Sequence, residues 1–504
     1  MDNQLLLPHV SQNDLENKFI AANVYFKKEN YDGALEVYSR ILRESPENTR
    51  ALHAIGVILH RQAKHEGAID HIERALSYKP DYLDAYISLG KIYNRIGYYK
   101  SARNNFSAAL AISPNSVESQ NGLGVSFFYL KQYDEAETCL TKALQLEPDN
   151  KSVLNNLGNL RKKFLRFDEA MDCYQKVLHL DSMYTESLSG MASIYMAQGR
   201  HDQAIEQFRR VLSLKPNSFS CQSGIMFAMH YSEGVSQDDV YRESVACETI
   251  TLRDIEVFDT WKNLPDPGRR LRIGLVSPDF RRHPVGYFIQ AFLMLHDFEQ
   301  YEVVCYNDYE GEDDLTLSLK ESADIWRRTY GVKDMRLAEM IRRDGIDILV
   351  DLAGHTNSNR LCMFAMKPAP VQVTWAGYVG TTGFSAIDYL ISDKFQSPVD
   401  AQKFTVEQIV RLPDDYICYC PPDYAPDITP LPALSNDYIT FGCFNNLAKV
   451  SDDVIALWSE VLKAVDNSRL FMKNPSFNDQ ETVKYYLNKF SCHGISAERI
   501  ITEG

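Results

Sequence analysis

No apolar run in this sequence approaches the roughly 18 to 20 residues needed to cross a bilayer. The opening MDNQLLLPHVSQND has an acidic Asp2, a short leucine patch and no basic n-region, so it does not read as a signal peptide. No CxxC pair occurs, and the ten cysteines follow no regular spacing, which fits free thiols in a reducing compartment better than a disulfide framework. No long basic run occurs either. Lys plus Arg number 53 against 68 Asp plus Glu, a net charge of −15, so a phosphate backbone is mostly repelled and nucleic acid is not expected as a partner. A soluble, cytoplasmic chain without a membrane partner is the expectation. At 504 residues with 45% apolar content, it is too long for one core and has enough apolar surface for several.

What is present first is a repeat. Prolines stand at Pro46, Pro80, Pro114, Pro148 and Pro216, a step of 34 with one beat occupied by Ser182. In the same phase small residues recur at Ala34, Ala68, Ala102, Ala136, Ala170 and Ala204, and again at Gly56, Gly90, Gly124, Gly158 and Ala192. Bulky side chains return four residues after each alanine, at Tyr38, Ile72, Phe106, Leu140, Tyr174 and Phe208. This pattern predicts paired helices that touch at the small residues, with the large ones filling the space between pairs. It resembles the tetratricopeptide repeat, in six copies over 13–216, stacked as a right-handed solenoid. Such a solenoid offers a groove for a peptide or protein acceptor, or a surface for a homodimer. Residues 217–267 read as capping helices followed by the linker WKNLPDPGRR.

From Leu271 the period changes. LRIGLVS, EVVCYND, GIDILVDLAGHT, PVQVTWAGYVG and AIDYLISD are short strand-like runs separated by helical stretches such as DMRLAEMIRRDG. This βαβ rhythm predicts a mostly parallel, doubly wound sheet over 268–432, with ligands beyond the carboxyl ends of its strands. A second unit over 433–504 alternates YITFGCFNN, DDVIALWSEVLKAV, RLFMK, DQETVKYYLNKF and ERIIT. Its three strands are fewer than such sheets commonly have, and the chain is read as a fragment.

SPDFRRHPVGYF (277–288), DILVDLAGHTNSNRLCMFAMKPAPVQVTWAGYVGTTG (347–383) and FGCFNNLAKV (441–450), behind the repeats, resemble the O-GlcNAc transferase and SPINDLY family, glycosyltransferase family 41. The resemblance implies an α-solenoid joined to a GT-B glycosyltransferase of two Rossmann-like units, the second incomplete here. It implies inverting, metal-independent transfer of a sugar from a nucleotide donor to Ser or Thr of protein acceptors. UDP-GlcNAc is the expected donor, with GDP-fucose, or a catalytically incomplete interaction protein, as the alternative. No Asp-x-Asp triplet is present to hold a metal as GT-A transferases do.

By the same resemblance His283 in DFRRHP and His355 in AGHT are active-site histidines for substrate positioning and proton transfer, and Lys449 in FNNLAK faces the leaving diphosphate. Asp279, Thr356, Gly377, Gly380, Thr381 and Asn446 are the implied donor or substrate contacts. Read without the family, each histidine could be a surface or buried structural residue and Lys449 a solvated lysine. GYVGTTG could be a tight connection, and Thr356 a helix cap. The family's diphosphate-holding histidine and threonine segment is not reached by residue 504. The column that carries an asparagine ladder in animal relatives holds Ala54, Ser88, Gly122, Asn156 and Gly190, so gripping of an acceptor by amides is not expected. His60, His65 and His71 lack metal-ligand spacing and are expected to face solvent. Asp414 and Asp415 are expected to decorate a loop.

Overall fold

The computed structural model describes residues 12–504 apart from 252, 254, 267 and 423. The chain divides into two compact units, Met1–Ser182 and Met183–Gly504.

The described part of the first unit is five helix pairs: α1 (Gln12–Lys27) with α2 (Tyr31–Glu44), α3 (Thr49–Arg61) with α4 (His65–Tyr78), α5 (Leu83–Arg95) with α6 (Tyr99–Ile112), α7 (Val117–Tyr129) with α8 (Tyr133–Leu146), and α9 (Lys151–Lys163) with α10 (Phe167–Leu180). The small–large code works as its spacing predicts. Ala34, Ala68, Ala102, Ala136 and Ala170 are fully buried. A methyl group added at Gly56 would stand 2.4 Å from Ile72, at Gly90 2.7 Å from Phe106, at Gly124 2.8 Å from Leu140 and at Gly158 2.7 Å from Tyr174. Each glycine therefore admits the bulky residue of its own repeat, and packing of amphipathic faces holds these short helices together. Asn30, Asn48, Ser116 and Asn150 cap first turns by accepting a backbone N–H.

One expectation for this unit changes. His60, His65 and His71 are half-buried rather than solvent-facing: His60 and His65 meet Nδ1 to Nδ1 at 3.1 Å, and His71 Nδ1 bonds the Gly67 carbonyl at 2.8 Å. A groove of about 520 Å³ in this unit is lined by amides from several columns of the repeat. Asn156 donates to Asn121 at 2.8 Å, and Asn121 donates to Ser152 at 3.1 Å.

The second unit begins with the sixth pair, α11 (Thr185–Ala197) and α12 (His201–Leu214), followed by α13 (Phe219–Met229) and α14 (Gln237–Thr251). The unit boundary thus falls one repeat earlier than the proline phase suggests, because the sixth repeat is bonded to later segments. The first sheet is parallel throughout, in the order β3-β2-β1-β4-β5-β6-β7. Its strands are β1 (Leu271–Ser277), β2 (Tyr301–Asn307), β3 (Ile325–Arg328), β4 (Ile348–Asp351), β5 (Val371–Thr374), β6 (Tyr389–Asp393) and β7 (Gln408–Leu412). Alternate residues serve opposite faces: Leu275, Val303 and Val350 join one core, Val276, Val304 and Leu349 the other. Helices α15 (Pro284–Leu295), α16 (Asp314–Ser322), α17 (Asp334–Asp344) and α18 (Leu361–Ala365) provide the connections. The helices at 217–251 do more than cap the repeats: Cys247 of α14 and Phe219 of α13 pack into one of the sheet's cores.

The second sheet runs β10-β9-β8, from β8 (Ile439–Cys443), β9 (Ser468–Lys473) and β10 (Ile500–Glu503), preceded by α19 (Ala433–Asn436) and connected by α20 (Asp452–Ala464) and α21 (Gln480–Cys492). It is fastened to the sixth repeat. Ser476 donates to the Ala197 carbonyl at 3.1 Å, Gln198 to Thr482 at 3.2 Å, Tyr486 to the Gln198 carbonyl at 3.1 Å and His201 to the Ala448 carbonyl at 3.1 Å. Among the described residues no helix is long and apolar enough to cross a membrane, and all ten cysteines are free.

Candidate functional site

Strand order places the site. β1 and β4 are neighbours, yet β2 and β3 lie outward on one side and β5 to β7 on the other, so the chain changes direction between them. A crevice opens beyond the carboxyl ends at such a switch point. The loop after β1 carries His283, and the loop after β4 carries His355.

In the first loop, the buried Asp279 takes its backbone N–H to Ser277 Oγ at 2.9 Å and accepts from Arg281 at 3.0 Å. A side chain at Gly286 would meet the Arg281 carbonyl at 2.2 Å, so a glycine lets this loop close over the start of α15. His283 is the N-cap of α15, with Pro284 at the first helical position. Its Nδ1 lies 3.4 Å from the Val285 N–H and 3.6 Å from Asp279 Oδ2. The first contact calls for a lone pair and the second for a proton. Both stand at the edge of bonding range, so neither fixes the tautomer. Partial burial lowers the His283 pKa against the opposing pull of Asp279. Its side chain remains about a third exposed, at 37%.

In the second loop, Asp351 is buried and accepts from the Gly354 N–H at 2.8 Å, the Ala353 N–H at 3.1 Å and Thr374 Oγ1 at 2.9 Å. Burial nevertheless pushes its pKa up to about 6. His355 is 2% exposed and both ring nitrogens are engaged. Nε2 lies 2.8 Å from the Thr382 carbonyl, which can only accept, so Nε2 carries the proton and Nδ1 takes the Ser223 hydroxyl at 2.9 Å. Burial lowers its pKa to about 4, leaving the ring neutral at pH 7. Thr356, half-buried, donates its hydroxyl to the Ala353 carbonyl at 2.8 Å, closing its own loop.

The GYVGTTG segment after β5 packs against this loop. Gly377 is indispensable there, because a Cβ would lie 1.9 Å from the Leu352 carbonyl oxygen. Ala376 before it takes a left-handed φ of 64°, a strained conformation at the end of a strand. The Tyr378 ring meets His355 edge-on, centroids 5.3 Å apart, and its hydroxyl meets His230 Nε2 at 2.7 Å. A Cβ at Gly380 would strike the His230 ring at 2.5 Å. Thr381 donates at 2.6 Å to Glu407, a fully buried carboxylate that also accepts both the backbone N–H, at 2.7 Å, and the hydroxyl of Thr382. Burial raises the Glu407 pKa against these donors.

Asn446 and Lys449 follow β8 in the second sheet. Asn446 accepts the Ala448 N–H at 3.1 Å and so caps the short turn Leu447–Lys449. Lys449 is exposed and makes no ion pair among the described residues. Its turn is anchored by buried neighbours, the Ala448 carbonyl bonding His201 and the Leu447 carbonyl accepting from Tyr486 at 3.3 Å.

The structure therefore brings together His283 with Asp279, and separately His355 with Gly377, Gly380, Thr381 and the loop of Thr356. Among the described residues no hydrogen bond or ion pair joins Lys449 or Asn446 to either set. Three residues that hold the loops, Ser223, His230 and Glu407, lie outside every motif read from the sequence, and a fourth, Tyr378, lies inside GYVGTTG without having been singled out. A signal exists for the first, the polar Gln222-Ser223 pair inside the largely apolar helix FSCQSGIMFAM, since polar groups buried with such a helix need partners.

A model of glycosyl transferase family 41 matches residues 236–420, and one of the C-terminal domain of cilia and flagella-associated protein 70 matches 44–238. Over 291 residues the chain is 38% identical to each of two plant proteins named "Probable UDP-N-acetylglucosamine--peptide N-acetylglucosaminyltransferase SPINDLY", from Petunia hybrida and Arabidopsis thaliana. These matches cover 57% of this chain and 31% and 32% of the plant proteins, so the chain spans about a third of the curated relatives it matches. A lysine-to-methionine variant of the Thermobaculum terrenum O-GlcNAc transferase superposes with a TM-score of 0.62 at 31% identity, over 83% of this chain and 74% of that one.

Proposed function

This chain belongs to glycosyl transferase family 41, and from that premise we propose that it transfers N-acetylglucosamine from UDP-N-acetylglucosamine to serine or threonine hydroxyls of proteins. Inversion at the anomeric carbon and independence from metal are part of the proposal. The observation that carries it is the pairing of the two motif loops on adjacent strands β1 and β4 at the switch point of the first sheet.

The chemistry requires a proton acceptor for the attacking hydroxyl and a counter-charge for the departing diphosphate. His283 is suited to the first task. With Nδ1 protonated toward Asp279, Nε2 keeps its lone pair and accepts the hydroxyl proton as the oxygen bonds to the anomeric carbon. The bond from that carbon to the donor phosphate breaks, and the diphosphate leaves with the electron pair. The Lys449 ammonium, free of any carboxylate among the described residues, is suited to meet that charge. His355 acts as a positioning residue, since both nitrogens are spent on Ser223 and Thr382. Gly377, Gly380, Thr381 and Thr356 shape the loops that receive the sugar, and Asn446 holds the lysine's turn. The protein acceptor is assigned to the amide-lined groove of the first unit.

The test is an incubation of the chain with labelled UDP-N-acetylglucosamine or GDP-fucose and a protein extract. Label passing from the uridine donor to protein, and falling on the order of a hundredfold in Lys449→Ala, is expected. Transfer from GDP-fucose alone would replace the donor, and no transfer from either would overturn the proposal.

A further inference from the structure

The segment 255–270, residue 267 apart, has the composition of a linker yet lies pinned along the amino-terminal ends of the first sheet's strands. Trp261 Nε1 donates to the Lys367 carbonyl at 3.1 Å, Asn263 to the carbonyls of Gly345 and Ile346 at 3.1 Å, and Arg269 to Asp347 at 2.8 Å. Between this segment, the start of β1 and the end of α17 lies an open groove of about 680 Å³. Six cations line it, Lys262, Arg269, Arg270, Arg272, Arg342 and Arg343, and among the described residues no carboxylate does.

Part of this charge is already spent. Arg269 serves Asp347, Arg270 bonds Asp324 at 2.9 Å, Arg272 serves Glu302, and Arg342 bonds the Thr260 carbonyl at 2.8 Å over the ring of Phe258. Lys262 and Arg343 remain exposed with no carboxylate partner among the described residues. Beside them Leu264 is 70% exposed, and the half-buried Trp261 adds apolar surface. In a chain of net charge −15 this is a local reversal of sign, and such a patch attracts and orients an anionic partner.

We propose that this groove docks a short acidic segment of a partner protein, its carboxylates pairing with Lys262 and Arg343 and an aliphatic side chain covering Leu264. A peptide fits better than a nucleic acid, because an extended phosphate backbone would run off the patch onto the acidic remainder of the chain. The groove opens at the start of β1 and the candidate site beyond its other end. Seven residues at about 3.3 Å each separate them by roughly 20 Å, so the docked segment anchors a partner without occupying the site.

Fluorescence anisotropy of a fluorescein-labelled peptide of repeated Glu-Asp-Leu triplets, titrated with the full chain, tests this. Binding that weakens with added salt, that is absent for a Gln-Asn-Leu counterpart, and that falls at least roughly tenfold in the Lys262→Glu/Arg343→Glu double variant is expected. Both positions are exposed, and Lys262→Gln/Arg343→Gln, with a smaller loss, controls for any disturbance of the fold. Undiminished binding by both double variants overturns the proposal. So does a single-stranded oligonucleotide or inorganic triphosphate that binds more tightly through the same two cations. Self-association abolished by the charge reversal, with no peptide binding, would assign the groove to a second copy of the chain.

Discussion

Gly97 and Gly199 occupy the same position in two repeats, the turn between the paired helices, and both have positive φ, 81° and 74°. Their surroundings differ. A methyl group at Gly97 in the first unit would meet nothing within 4 Å, whereas one at Gly199 in the second would stand 2.5 Å from the Tyr486 hydroxyl and 2.8 Å from the Leu447 carbonyl. The same turn elsewhere holds Glu29, Ala63, Lys131 and Leu165, all left-handed, so the first unit tolerates side chains at this position. The repeat's code is shared by both units, but in the second it also answers to partners far along the chain. There Ser223 reaches His355 across 132 residues, and Gln198 reaches Thr482 across 284.

The contrast can be broken most severely at Gly377. Gly377→Ala drives a methyl group into the Leu352 carbonyl, a backbone atom that cannot step aside, and is expected to cost about 4 kcal/mol or more. Segment-resolved hydrogen exchange should show protection lost around β4 and β5 while α1 to α10 keep theirs. Gly199→Ala comes next, at about 3 kcal/mol, combining left-handed strain with the clash against Tyr486 and Leu447. The same exchange experiment should show α21 and the 447–449 turn loosening.

Acidification sharpens the comparison. His355 is held neutral with a pKa of about 4, below its ordinary 6.5, so its contribution is full above pH 6.5 and is lost as pH falls toward 4. At pH 5 the loss is about 2 kcal/mol, read as the difference in denaturant stability between the wild-type chain and His355→Asn at pH 7 and 5. Asp351, with a pKa raised to about 6, acts with the opposite sign, and the difference between the two proteins cancels it. Smallest is Gly97→Ala, at about 1 kcal/mol from backbone strain alone and confined to the first unit. Equal costs at positions 97 and 199 would remove the contrast between the units.

The repeat was legible because its packing is local and periodic: the alanine column is buried and the glycine column admits Ile72, Phe106, Leu140 and Tyr174. Central strands were legible as apolar runs. β3 and β7 were not, since IWRR and QIVRL form the two edges of the sheet, where charge guards an unpaired ladder and breaks the apolar signal. The loops carrying His283 and His355 could be located from the strand pattern, and their adjacency follows from strand order. That His355 is enclosed could not be read, because Ser223 and Thr382, which take its nitrogens, lie in a helix and a loop with no local sequence tie to it. Likewise Glu407 clamps Thr381 and Thr382 from 25 residues or more away.

The division of labour between the two histidines is open to one paired measurement, the transfer rate and Tm of His283→Ala and His355→Ala. The expected result is a loss of transfer on the order of a hundredfold or more in His283→Ala with Tm nearly unchanged, and a fall in Tm of several degrees in His355→Ala from the unpaired Ser223 and Thr382 groups. Full transfer by His283→Ala, or a His355→Ala variant that keeps its Tm and loses transfer alone, would contradict the assignment of proton transfer to the first histidine and loop anchoring to the second.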